Sequence, residues 1–168
     1  MRVVMVMVAS LDGIVARRAN ESVGSWSSAA DKLHLQQTLA KCDGIIVGHG
    51  TFDEKFVDVP HYVLSRNRSS TSHDEAEQVF YTAMPANQLV TALAERGHQQ
   101  ILLLGGPTIN QLFLEAGVVD ELWLTVEPVI FGAGKHLVTA EIEQSLRLVS
   151  CEQLNDQGTL LLKYDLIK

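Results

Sequence analysis

Residues 101–113, ILLLGGPTINQLF, constrain the fold more than any other stretch of the chain. Four aliphatic residues in succession, from Ile101 to Leu104, leave no polar face for water. A strand built from them must be covered on both sides, as strands of parallel sheets are. Gly105 and Gly106 end the run, and Pro107 follows, a residue whose missing N–H costs nothing in a helix's first turn. The helix begun there is expected to stop at Gly117. A strand that turns at once into a helix is the repeating step of an α/β protein.

The rest of the sequence repeats that step. Residues 3–8 are a Val- and Met-rich run that breaks at Ser10, Asp12 and Gly13, as a buried strand does on entering a loop. Segment 25–44, SWSSAADKLHLQQTLAKCDG, offers Ser27 or Ser28 as N-cap, an early acid, Leu33, Leu35 and Leu39 at helical spacing, and a glycine stop. Residues 44–48, 61–65 and 79–83 read as further strands, with a short helix expected to begin at Thr51. The polar segment 65–78 reads as a surface loop, and residues 86–98 as an amphipathic helix closed by Gly97. From residue 120 onward the chain reads as β, in segments 120–130, 135–139, 146–154 and 159–167, the last two joined by the turn-like NDQG. The expected fold is a single α/β domain over residues 1–168, with a mostly parallel central sheet, helices on both faces and an antiparallel C-terminal hairpin.

Composition narrows the function. With 20 acidic against 13 basic side chains, the net charge of -7 disfavours nucleic acid as a partner. The two cysteines, Cys42 and Cys151, have no metal-ligand spacing and are expected to be reduced, buried and inert. The opening apolar run is too short to span a membrane and has no cleavage site, so a cytoplasmic location is expected. The histidines fall in no metal-binding pattern, and no metal site is expected. There is no G-x-G-x-x-G, no Walker loop and no G-x-S-x-G elbow.

Three strand ends suit an anion. Gly105 and Gly106 strip side chains from the start of a helix, Pro107 costs no donor and Thr108 adds a hydroxyl, a seat fit for a diphosphate. The same glycines would also serve a plain tight turn. Gly48, with Thr51 beyond it, offers a second bare strand end, and Ser65 followed by Arg66 and Arg68 a third, suited to a phosphate monoester.

The pieces ASLDGIVA, SWSSAAD, DGIIVGHGTF and LLLGGPTINQLFLEAGVVDELWLTVEPVIFGAGK, in this order, resemble the reductase domain of the bifunctional riboflavin-biosynthesis deaminase-reductase. The resemblance covers residues 3–166 and is most specific over 105–135. It implies the dihydrofolate-reductase-like three-layer fold, NADPH as cofactor, a homodimer, and activity like that of the 5-amino-6-(5-phosphoribosylamino)uracil reductase. Carried over by position, it puts Val8 and Trp26 by the nicotinamide, Thr51 by the phosphates, Ser65 and Arg66 by the adenosine phosphate, and the stretch from Gly106 to Ile109 on the diphosphate. Two substrate contacts depart from the family pattern: Leu104 stands where a Glu is usual, and the region of Leu39 where an Arg is. Trp26 followed five residues later by Asp31 is similar to dihydrofolate reductase. Asp31 is therefore the candidate proton donor, and its other reading is a first-turn carboxylate favoured by the helix dipole. A pteridine reductase, or an NADPH-binding protein that has lost turnover, are the alternatives.

Overall fold

The computed structural model describes residues 1–18, 21, 23–65, 73–74 and 78–168. In chain order the strands are β1 (Arg2–Ser10), β2 (Ile14–Ala16), β3 (Gly44–Gly48), β4 (His61–Leu64), β5 (His73–Asp74), β6 (Val79–Thr82), β7 (Gln100–Leu103), β8 (Glu121–Glu127), β9 (Lys135–His136), β10 (Leu146–Gln153) and β11 (Leu160–Leu166). The helices are α1 (Ala29–Leu39), α2 (Ala86–Glu95) and α3 (Pro107–Glu115). Nine strands form one sheet in the order β10, β11, β8, β1, β7, β3, β4, β6, β5, while β2 and β9 pair separately. From β8 through β1, β7, β3 and β4 to β6 every pairing is parallel; β11, β10 and β5 join antiparallel.

The apolar runs are continuous because both faces of this sheet are covered. Val3 and Met5 of β1 enter a core with Ile46, Ile101 and Leu103 beneath α2 and α3, which contribute Leu89, Leu93 and Phe113. Val4 and Val6 enter the opposite core with Ile45, Val47, Leu102 and Leu39 of α1. Each such side chain contributes about 1.5–3 kcal/mol by leaving water. Ser28, rather than Ser27, caps α1, accepting the Asp31 amide at 3.2 Å. Leu33 takes no part in the helix's apolar face and is 55% exposed.

The short helix expected at Thr51 does not form. The Gly48 carbonyl accepts both the Thr51 and Phe52 amides, at 2.9 and 3.1 Å, closing a tight turn. Beyond it the chain wraps the fully buried His61 ring, whose Nε2 accepts the Phe56 amide at 3.1 Å while Nδ1–H donates to the Val59 carbonyl at 2.7 Å. Those contacts replace the helical ladder. The strand expected over 135–139 is only the two residues of β9. Cys42 is buried, and its thiol is pushed up by desolvation, but Cys151 lies exposed on the edge strand β10, not inside. None of the helices among the described residues is long and apolar enough to cross a membrane.

Candidate functional site

All six parallel strands end along one edge of the sheet, bringing Ser10, Gly48, Leu64, Thr82, Leu103 and Glu127 to the same rim. Helix N-termini and strand-end amides concentrate partial positive charge there.

On one side of β1 the glycines make a cradle. The Gly48 amide donates to the Gly105 carbonyl at 2.7 Å, tying the end of β3 to the turn after β7. Gly105 has φ +82°, and the peptide bond between it and Gly106 is cis. A Cβ on Gly48 would stand 2.8 Å from Ile109 Cγ1, and one on Gly106 would stand 3.0 Å from the Thr51 hydroxyl. A side chain at Gly48 would have to displace Ile109, and Thr51, Gly106 and Ile109 meet at the opening of α3. The Gly106 carbonyl accepts the Ile109 and Asn110 amides at 2.9 and 3.0 Å. The amides of Gly106 and Thr108, by contrast, have no acceptor among the described residues. Pro107 between them supplies no donor, as its place in the first turn allows. Ser65 is buried one strand over, its amide on the Thr82 carbonyl at 3.0 Å. Arg66 and Arg68 lie outside the described residues.

On the other side of β1 stands a buried acid. Asp31, only 6% exposed, projects from the first turn of α1. Desolvation raises its pKa above the ordinary carboxylate range; the nearby hydroxyls of Ser27 and Thr125 counter the rise and the charge of Glu127 adds to it. Thr125 lies beside Val8 in the β1–β8 register, and Glu127 beside Ser10. Trp26 meets Phe131 edge to face at 5.1 Å. Its indole Nε1 and the Ser27 hydroxyl are buried and make no well-formed hydrogen bond.

Sequence reasoning missed Glu127 and its partners. Its Oε1 accepts the Ser28 amide and its Oε2 the Thr159 hydroxyl, both at 2.7 Å, while Asn155 Nδ2 donates to Thr159 Oγ1 at 2.8 Å. The available signal was a pair of polar residues, Thr125 and Glu127, two apart on one face of β8, whose other face is the apolar Leu122, Leu124 and Val126.

Asp12 proves to be a turn residue. It accepts from the Ser10 hydroxyl at 2.5 Å and from the Gly132 amide at 2.7 Å, contacts that hold its carboxyl down at about 2. Arg17 is engaged by Glu21 and lies over the Phe131 ring at 5.0 Å. Leu104 and Leu39 both belong to the α1-side core.

A parallel-centred sheet of this order, with an acid from its first helix and a glycine cradle across β1, defines a domain of the dihydrofolate-reductase-like class. Residues 1–160 match the RibD C-terminal domain, and the chain belongs to that family. It is 24% identical over 166 residues to the uncharacterised protein YyaP of Bacillus subtilis, covering 88% of this chain and 85% of that one. It is 29% identical over 142 residues to the riboflavin biosynthesis protein RibD of Mycobacterium tuberculosis, covering 73% of this chain but spanning only 41% of the relative's length. Among solved structures, a pyrimidine reductase-like protein of Corynebacterium diphtheriae superposes with a TM-score of 0.80 at 16% identity, over 99% of this chain and 92% of that one. At that identity the likeness speaks for the fold.

Proposed function

We propose that the protein is an NADPH-dependent reductase of a small nitrogen heterocycle or its ribosyl derivative. The observation that carries this reading is the pairing of two features across β1: unanswered amides at Gly106 and Thr108 beneath the Thr51 hydroxyl, and the buried Asp31. Neutral donors at a helix N-terminus suit a diphosphate, so the residues present fit a dinucleotide. The cofactor, when bound, would supply hydride from its nicotinamide C4.

The chain's own residues do the rest. Gly106, Thr108 and Thr51 hold the phosphates, and Ser65 with Arg66 favours the adenosine phosphate of NADPH over the bare ribose of NADH. Val8 and Trp26 wall the space beside Asp31 and keep water out. Asp31, whose hold on its proton burial strengthens, donates from its carboxyl oxygen to the ring nitrogen that gains a proton as hydride arrives. Leu104 and Leu39, set in the core, offer no polar contact to a substrate, so the site favours a compact heterocycle over the phosphoribosyl compound of riboflavin synthesis.

Calorimetry with NADPH and NADH tests the reading. NADPH is expected to bind more tightly, and Arg66→Ala to narrow the difference; equal binding by the wild-type protein would refute it. Tight binding without NADPH oxidation against pyrimidines, pteridines and flavins would instead favour a cofactor-binding protein without turnover, the reading that the two apolar replacements support.

A further inference from the structure

Glu127 is 3% exposed and lies beside Ser10 at the carboxyl end of β8, yet nothing in the proposed chemistry uses it. A carboxylate taken out of water is costly unless hydrogen-bonded. Here both oxygens are answered, Oε1 by the Ser28 amide and Oε2 by the Thr159 hydroxyl, each at 2.7 Å. Thr159 is itself fully buried and fixed by Asn155, whose Oδ1 accepts the Thr159 amide at 3.1 Å while its Nδ2 donates to the Thr159 hydroxyl. Ser28 is also the N-cap of α1, and its hydroxyl accepts the Asp31 amide. One side chain thus holds the turn that carries the acid.

We infer that Glu127 is the positioning residue for Asp31: it anchors the first turn of α1 through the Ser28 amide and places its carboxyl group where it couples to that of Asp31. Glu127 acts on Asp31 in the direction that favours its proton, a smaller effect than desolvation. Around the pair, Lys32 on α1 acts on Asp31 in the opposite sense, Thr125 on β8 contributes a hydroxyl, and Asp12 acts on the neighbouring Ser10. This role rests on the reading of Asp31 as proton donor, but the coupling of the two carboxylates can be measured without turnover.

Carbon-detected NMR of the side-chain carboxyls in the whole protein tests it. In the wild-type chain the Asp31 signal is expected to titrate above the ordinary carboxylate range. Glu127→Gln keeps an acceptor for the Ser28 amide but removes the charge, and is expected to lower the Asp31 midpoint by roughly 0.5–1 pH unit. With a substrate in hand, the alkaline limb of kcat/KM should move down by the same amount, because an acid that loses its proton earlier stops donating earlier. Glu127→Asp, which restores the charge, should return the limb toward its wild-type position. An unmoved Asp31 midpoint in Glu127→Gln overturns the inference, as does a single ordinary titration of Asp31 in the wild type should the variant fail to fold. A reductase assay that stays silent while the midpoint shifts counts against the proposed function and leaves the coupling standing.

Discussion

Thr51 and Gly106 face one another so closely that a Cβ on the glycine would stand 3.0 Å from the threonine hydroxyl oxygen. The contact joins the turn after β3 to the start of α3, two elements more than fifty positions apart in the chain. It also sets that hydroxyl beside Gly106, whose amide, like that of Thr108, has no acceptor among the described residues.

Two neighbouring glycines should therefore fail in different ways. Gly105→Ala places a side chain at φ +82°, which costs roughly 1–2 kcal/mol, and sets its Cβ 3.2 Å from Met7 Sδ. Gly106 has an extended φ of -73°, so alanine there meets only the Thr51 hydroxyl, which can rotate away. Thermal melts should show the first variant clearly destabilised and the second within about 1 kcal/mol of wild type. Calorimetry should show Gly106→Ala binding NADPH about tenfold more weakly, equivalent to about 1.4 kcal/mol. Wild-type affinity in Gly106→Ala would remove the cradle from the site.

How far the sequence revealed this arrangement depends on how local each cause is. The step from β7 to α3 was legible because Gly-Gly-Pro is a punctuation that strand and helix both require. Ser28 was one of two adjacent candidates, and only the geometry of the Asp31 amide separates them. The turn at Thr51 was misread as a helix because its determinant is the buried ring of His61, reached only once β4 lies beside β3. Cys151 was expected inside because a thiol without metal-ligand spacing is by default a buried one, yet β10 is the sheet's edge and nothing among the described residues covers it. Glu127 was invisible for a related reason: its donors come from Ser28 and Thr159, 99 and 32 residues away.

Asp31 should weaken the fold as the pH rises. Its folded-state pKa lies above the ordinary aspartate value of 3.8, chiefly through desolvation, so the folded chain binds the proton more tightly than the unfolded chain. Stability from this group is fully present below the unfolded value and is lost as the pH climbs through the raised one. Asp31→Asn cannot titrate, and its melting temperature should gain on the wild type as the pH climbs from about 3.8 through the raised value. Turnover should fall by two orders of magnitude or more, roughly the contribution of a general acid, while NADPH affinity stays. Parallel melting curves across that pH range would show that burial does not hold the proton on Asp31.

Asp12 carries the opposite sign. Its carboxyl is held down at about 2 by the Ser10 hydroxyl and the Gly132 and Phe131 amides, so its contribution is present above 3.8 and lost only as the pH falls through about 2. Neutral-range activity should not report its titration. Asp12→Ala should free the Phe131 and Gly132 amides, and hydrogen exchange there should quicken by about tenfold. Because Phe131 lies against Trp26, tryptophan emission should shift as well. Unchanged exchange at both amides would mean that the loop is held by other contacts.

The edge strand β10 has every residue exposed, including Leu148 at 53% and Val149 at 60%. A row of unpaired backbone groups flanked by apolar side chains invites pairing unless something covers it. A second copy of the chain is the partner proposed here, and the free thiol of Cys151 on the same strand is a built-in reporter. Light scattering is expected to give the mass of a dimer, with Cys151 slow toward a thiol reagent and Cys42 reacting only on unfolding. Replacing Leu148 and Val149 together by lysine should yield a monomer whose Cys151 reacts at least about tenfold faster, since like charges across the seam would oppose pairing. A wild-type monomer with a freely reacting Cys151 would leave β10 a bare edge and remove the dimer from the account.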